Sequence, residues 1–242
     1  MEWIDEGIVL SARRHGESAA VASLLTRAHG RHSGLVRGGA GARARGLYQP
    51  GNVLRATWRA RLSEHLGTYT CELLRAHAAG LLDERLPLLA LSAASAMVDV
   101  ALPEREPHPG LFAGMMELVE ALGRPGWEAH YVRWELSLLA ELGFGLDLAS
   151  CAATGANDGL VWVSPKSGRA VSAAAGEPWR GRLLALPAFL TEPSGPVPTA
   201  GDLDAGLQLT GYFLTHHVFG PESRKLPSAR GRLLAGLAGR PG

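Results

Sequence analysis

The spacing of apolar residues along this chain of 242 residues changes once, close to residue 76. Before that point apolar and polar residues alternate, so that Trp58 and its neighbour Arg59 face opposite sides of an extended segment. After it, apolar residues recur every three or four positions, as in residues 81–102. Alternation is typical of a β-strand, and a repeat of about 3.6 residues is typical of an α-helix. The sequence therefore predicts an α+β protein, with a β-rich domain at residues 1–76 and a mainly helical domain at residues 77–242.

The same patterns predict the individual elements of both domains. Strands are expected at residues 4–10, 33–36, 53–62 and 67–74, and a flexible glycine-rich loop between Gly38 and Pro50. Residues 18–28 favour a helix by propensity alone. In the second domain, helices are expected at residues 81–102, 110–122, 127–142, 203–219 and 227–237, and a small β-hairpin at residues 160–172.

Composition excludes several classes of protein. With 46% hydrophobic and 19% charged residues, the chain is an ordinary globular protein and not a disordered one. Its apolar runs are too short for a membrane span, and its acidic start is unlike a signal peptide. Two cysteines, Cys71 and Cys151, cannot build a disulfide framework, so we expect a protein of the reducing cytoplasm with no membrane partner.

Arginine is concentrated in one part of the first domain. Residues 27–61 contain eight arginines and no aspartate or glutamate, which is the electrostatic signature of a surface that binds a polyanion. Only Lys166 and Lys225 are lysines among the 24 basic residues, and genomic base composition is an alternative explanation for that preference. Base composition does not explain why residues 27–61 contain no aspartate or glutamate.

Arginines on one strand face and in the neighbouring loop predict a continuous basic groove. The strand arginines have an alternative interpretation as an ordinary solvated face, although such a face normally mixes acids with bases. Trp58 points to the apolar side and is expected in the core, whereas the loop residue Tyr48 is the candidate for stacking on a base. The predicted polyanion-binding residues are Arg31, Arg37, Arg43, Arg45, Tyr48, Arg55, Arg59 and Arg61.

No catalytic site or cofactor motif is visible. Residues 39–44 match the dinucleotide pattern G-x-G-x-x-A, but Pro50 follows too soon for the required helix and no acid stands where the ribose would need it. His216 and His217 are adjacent on a predicted helix and so point about 100° apart, which indicates a structural role and not a metal chelate. These patterns therefore reveal no active site.

Several segments, in order along nearly the whole chain, resemble the RecO recombination mediator family. They are EGIVL at residues 6–10, GLVRG at 34–38, LGFGLD at 142–147, VSPKSGRA at 163–170 and LPSAR at 226–230. The resemblance implies an N-terminal OB-fold barrel, in which residues 18–28 form a strand. It also implies a protein that binds single- and double-stranded DNA, anneals complementary strands and works with RecR to help RecA onto single strands coated by SSB.

The region that binds zinc in many members of this family is degenerate here. Those members carry two C-x-x-C pairs, whereas residues 147–172 keep only Cys151. The positions of the other cysteines hold Thr154, Ser164 and Ser167. One thiolate cannot hold a tetrahedral structural zinc, so we expect no metal and no cofactor, with packing of Trp162 and Val171 supporting the hairpin.

The resemblance also implies contact with the acidic, hydrophobic C-terminal tail of SSB. Late basic residues are the candidates, although they have an alternative interpretation as ordinary charges near helix ends. They are Arg224, Lys225, Arg230 and Arg232. The function expected is a non-enzymatic recombination mediator in DNA repair, cytoplasmic and associated with the nucleoid. The alternatives are a protein-interaction adaptor with incidental DNA contact and a nucleic-acid-processing enzyme.

Overall fold

Five strands in the first third of the chain form a closed barrel with the order β1-β2-β3-β5-β4. The computed structural model describes residues 1–192, 197–220 and 225–239. The elements of the barrel are β1 (Glu2–His15), β2 (Ala19–Thr26), β3 (Gly30–Val36), α1 (Ala42–Leu47), β4 (Val53–Arg59) and β5 (Thr68–Arg75). A five-stranded barrel with this strand order is an OB-fold, and the N-terminal OB-fold implied by the resemblance is confirmed.

Strand β1 closes the barrel because it is long enough to pair with two neighbours. It pairs antiparallel with β2 and with β4, and an irregularity between Val9 and Ser11 lets it bend. Strands β3 and β5 meet in parallel at a single residue pair, Leu35 with Thr68. Alternate residues fill the interior, namely Val9, Ala22, Leu24, Val36, Tyr48, Leu54, Ala56, Trp58 and Tyr69.

Three local expectations have a clear outcome in the barrel. Residues 18–28 contain strand β2 in spite of their helical propensity, because its alternate side chains are buried in the barrel. Strand β4 ends at Arg59, short of the predicted end at residue 62, and Leu62 is 47% exposed. The loop predicted between Gly38 and Pro50 contains the short helix α1, which packs Leu47 against the core.

The remainder of the chain is mainly helical, as predicted, and the hairpin is confirmed as β6 with β7, extended by β8 to a sheet of three strands. Its elements are α2 (His77–Gly80), α3 (Arg85–Ala101), α4 (Pro109–Ala121), α5 (Trp127–Glu141), β6 (Leu160–Val163), β7 (Ala170–Ser172), α6 (Ala173–Gly176), β8 (Leu184–Ala185), α7 (Ala200–Phe213) and α8 (Ser228–Ala238). Short 3₁₀ segments lie at Glu177–Arg182 and Ala188–Leu190, and a π-helix at Leu214–Phe219. None of the described helices is long and apolar enough to cross a membrane.

The compact units of the structure divide the chain at a different place from the predicted domains. One unit contains Met1–Pro125 and helix α8, and the other contains Gly126–Leu226. Helix α8 joins the first unit because it packs on α3, where a Cβ on Gly236 would lie 2.7 Å from the Leu86 side chain. The spacing of apolar residues did not predict that the chain rejoins the first unit after residue 226.

Candidate nucleic-acid interface

A cleft of about 1180 Å³ opens on the barrel surface beside α1. Arg37 follows the end of β3, Arg43 lies on α1, and Arg59 ends β4, and all three line this cleft. Among the described lining residues the only acid is Glu72. Three guanidinium groups around one concave surface suit a phosphate backbone, because arginine presents a planar fork of donors to each phosphate.

Two of these arginines have no competing partner. Arg37 and Arg43 are exposed, and neither is joined by a hydrogen bond or ion pair to another residue of the described ranges. Arg45 on α1 and Arg61 beyond the end of β4 are also exposed, but they do not line the cleft. The freely available charge of the cleft therefore comes from the end of β3 and from α1.

The outward face of β4 carries its arginines as predicted, but acids from the neighbouring strands lie beside them. Arg59 forms an ion pair with Glu2 of β1, with Nη2 of the arginine 2.8 Å from Oε1 of the carboxylate. This hydrogen bond lowers the pKa of Glu2 and raises the pKa of Arg59. Arg55 is paired in register with Glu6 on one side and Glu72 on the other. The expectation that no acid neutralises this face is wrong, because strand pairing brings in acids distant in sequence.

The prediction for Arg31 needs correction, because its side chain is only 18% exposed. Its Nε donates to the carbonyl of Leu102 at 2.9 Å, and its Nη1 lies 3.3 Å from the Glu104 carboxylate. The chain after α3 runs so close to the start of β3 that a Cβ on Gly30 would lie 1.9 Å from the carbonyl oxygen of Glu106. Arg31 attaches this segment to the barrel, and the segment covers part of the β2–β3 face that many OB-folds use for oligonucleotides.

Tyr48 is also corrected, since it is 5% exposed and belongs to the barrel core. Burial raises the pKa of its hydroxyl, which shares a hydrogen bond with the Cys71 thiol. Burial likewise raises the pKa of Cys71 to about 11. With its ring inside the barrel, Tyr48 cannot stack on a base in this structure.

A second cavity, of about 480 Å³, lies at one end of the barrel and was missed by the sequence analysis. Trp3, His29 and Trp58 line it with their rings, and Arg105 lies at its edge. Trp3 is the signal that was available, because alternation along β1 places this ring on the inner side. Arg105 was not predictable, because it reaches the barrel from the segment after α3.

Of the described residues predicted to bind the SSB tail, one is buried and two are exposed. Arg230 is 3% exposed, on the same side of α8 as the buried Leu233, so its prediction as a surface residue is corrected. Lys225 and Arg232 are exposed, and Nη1 of Arg232 donates to the Ser228 hydroxyl at 3.1 Å. Arg224 lies outside the described residues.

The degenerate zinc region keeps two similar turns without a set of metal ligands. The N–H of Gly155 donates to the carbonyl of Cys151 at 2.8 Å, and that of Gly168 to the carbonyl of Ser164 at 2.9 Å. Cys151 is buried, and hydrogen bonds from Ser172 and Thr154 lower its pKa to about 6. One thiolate among hydroxyl groups does not fit a tetrahedral zinc. Across the described part of the chain no group of three or more metal-binding side chains occurs.

The two adjacent histidines have partners inside the helical region. His216 stacks on Tyr212 at a centroid distance of 4.1 Å, and its Nδ1 lies 2.8 Å from that residue's carbonyl oxygen. His217 stacks on Phe213 at 5.5 Å. These contacts favour the structural interpretation of both rings.

The closed five-stranded barrel, its arginine cleft and the helices after it place this chain among OB-fold proteins with a helical extension. A family model for the N-terminal domain of recombination protein O matches residues 1–77, and one for its C-terminal domain matches residues 83–226. The chain belongs to the RecO family of DNA repair proteins, which is not a family of enzymes.

Relatives named DNA repair protein RecO match this chain over nearly its full length. The protein of Rhodospirillum centenum is 57% identical over 236 residues, which are 97% of this chain and 94% of the relative. That of Rhodospirillum rubrum is 50% identical over 243 residues, and the match covers 98% of this chain and 96% of the relative. That of Methylorubrum populi is 52% identical over 241 residues, and the match covers 97% of this chain and 98% of the relative.

Proposed function

We propose that this protein is a recombination mediator that binds DNA through the arginine cleft of its barrel. It holds and anneals complementary strands and, with RecR, assists RecA onto single strands coated by SSB, in the cytoplasm at the nucleoid. The observation that carries the DNA-binding part is the cleft itself, in which Arg37 and Arg43 are exposed and lack partners among the described residues. Membership of a DNA repair family supports it.

The cleft chemistry suits binding that is independent of sequence. Guanidinium groups bind phosphates and release counterions, so affinity falls as salt rises. Neutralising the phosphates of two strands also lowers their mutual repulsion, which is the physical requirement for annealing. The rival interpretation as a nuclease would need a carboxylate cluster at the cleft, where Glu72 is the only acid among the described lining residues. The adaptor interpretation predicts little DNA affinity at any salt concentration.

Exposed Lys225 and Arg232 are proposed to attract the acidic tail of SSB. Lys225 precedes helix α8 and Arg232 lies near its middle, and both side chains are exposed. Charge reversal to Glu at each position separately tests this, with the free tail peptide as the probe. Weaker peptide binding with unchanged DNA affinity supports the proposal, and unchanged peptide affinity for both variants contradicts it.

Salt-dependent binding and strand annealing test the proposed function together. The full chain is titrated with two single strands of unrelated sequence at several salt concentrations, and complementary strands are then mixed with and without it. We expect equal affinity for the two sequences, a linear fall of log K with log salt, and faster annealing with the protein. Absence of binding, or an affinity that does not change with salt concentration, would contradict the proposal.

A further inference from the structure

Three rings form a stack at one end of the barrel, and the last of them faces outward. Trp58 and Trp3 are nearly parallel, with centroids 5.7 Å apart and an angle of 18° between their planes. Trp3 and His29 are 4.2 Å apart at 8°. The His29 side chain is 36% exposed, and its Nδ1 lies 2.9 Å from Asp5, a carboxylate that also accepts from the N–H of Ala28. The stack is therefore held in place and open at its His29 end.

Arg105 supplies an unusual polar group at the same cavity. Its φ of 65° makes it the one non-glycine residue in the left-handed region among those described. Its Nη2 donates to the carbonyls of Glu64 and His65, and its N–H donates to Arg31 at 2.8 Å. Its Nε is buried and has no partner in the described structure. Residues held in this conformation cluster at ligand sites.

The cavity walled by Trp3, His29 and Trp58, here called the ring-walled cavity, is linked to the arginine cleft by an ion pair, because Glu2 lines this cavity and its partner Arg59 lines the cleft. Trp58 lines the ring-walled cavity, and the next residue, Arg59, lines the arginine cleft. A single strand with a phosphate at Arg59 therefore lies close to the side of the ring-walled cavity formed by Glu2. This adjacency favours a nucleic-acid occupant over a peptide ending in an aromatic residue, which would have no use for the cleft.

We infer that the ring-walled cavity binds one unstacked base of a single strand, which lies on the outer face of His29 and accepts a hydrogen bond from Nε of Arg105. The inference rests on the proposed function and adds to it the part of the DNA that is recognised. A flat base continues the stack of Trp58, Trp3 and His29, and a base carbonyl satisfies the lone donor. Duplex DNA does not use this cavity, since its bases are already stacked and paired.

The experiment compares His29→Ala with His29→Phe in the full chain. The probes are an oligothymidine and an abasic oligonucleotide of the same length, both titrated in the same buffer. We expect His29→Ala to bind oligothymidine roughly 5- to 150-fold more weakly, the range for losing one stacked base, and the abasic strand as tightly as the unchanged protein. His29→Phe keeps a ring and should retain the affinity.

Two further measurements separate this role from a structural one. Thermal unfolding shows whether each variant is folded, and Arg105→Lys provides a second variant that keeps the charge but removes the Nε donor. It should lose affinity for oligothymidine and not for the abasic strand. Equal losses on both probes, or no loss for folded variants at either position, would overturn the inference. If the unchanged protein binds neither probe, the proposed function itself fails.

Discussion

Arg59 of β4 and Glu2 of β1 face each other across paired strands, with 2.8 Å between the guanidinium and the carboxylate. Because the arginine also lines the cleft, the carboxylate competes with any phosphate that approaches it. Both side chains are largely exposed, so solvent and salt weaken their attraction. The pair therefore limits the charge that the cleft offers to DNA without contributing much to the stability of the barrel.

Removing the Glu2 carboxylate should strengthen binding of single strands. In Glu2→Gln, Arg59 is free to contact a phosphate, so the slope of log K on log salt should steepen by up to about 0.7. Glu117→Gln is the matched control, because it removes the same charge from an exposed position on α4. Equal effects of the two variants would show that only net charge matters and that Arg59 is not held by Glu2.

Gly30 should tolerate alanine far less well than Gly16, although both have a φ close to 65°. At Gly16 nothing lies within 4 Å of an added Cβ, so alanine should cost only the left-handed penalty of about 1–2 kcal/mol. At Gly30 the Cβ would overlap the carbonyl of Glu106, so the loss should exceed that of Gly16→Ala by at least ~2 kcal/mol. Denaturant unfolding of the two variants measures this difference. Equal losses would mean that the segment after α3 does not pack on β3.

Stability should depend on pH through His32. Burial, together with the nearby Arg105, lowers the pKa of His32 to about 4, against about 6.5 in an unfolded chain. Between these values the unfolded state binds a proton that the folded state does not, so the free energy of unfolding should fall by roughly 3 kcal/mol as pH drops from about 6.5 to 4. His32→Gln should lose this part of the pH dependence. An unchanged profile in a folded His32→Gln would contradict the assignment.

The purified protein should contain no stoichiometric zinc. Cys151 is the only thiol of its region, and its sulfur accepts a hydrogen bond from the N–H of Ser172. A chelator should therefore leave the thermal unfolding temperature unchanged, and elemental analysis should find far less than one zinc per chain. About one zinc per chain would contradict the prediction.

The sequence predicted the elements well because each leaves a local signature. Alternation at Trp58 and Arg59 located β4 and its two faces, and the helical stripes located α3, α4 and α5 within a few residues. Strand β2 was implied only by the family resemblance, because its leucines and alanines have no local preference for a strand.

The candidate site was predicted less well because its chemistry depends on which strands are neighbours. Residues 27–61 lack acids, yet Glu2 and Glu72 lie beside their arginines once the barrel closes. Arg31 was assigned to the surface since nothing near it in sequence indicates that the chain after α3 returns to cover it. The register in which strands distant in sequence pair could not be predicted from this one sequence.

The most direct test of this account is the salt dependence of single-strand binding by Arg37→Ala/Arg43→Ala. Arg85→Ala/Arg124→Ala is the matched control, since it removes two exposed arginines of the same unit that do not line the cleft. If each cleft arginine contacts one phosphate, the slope of log K on log salt should fall in magnitude by roughly 1.4, and affinity should be reduced alike for all sequences. The control variant should keep the affinity and the slope of the unchanged protein. A folded Arg37→Ala/Arg43→Ala variant that keeps its affinity and its slope would show that DNA does not bind in this cleft.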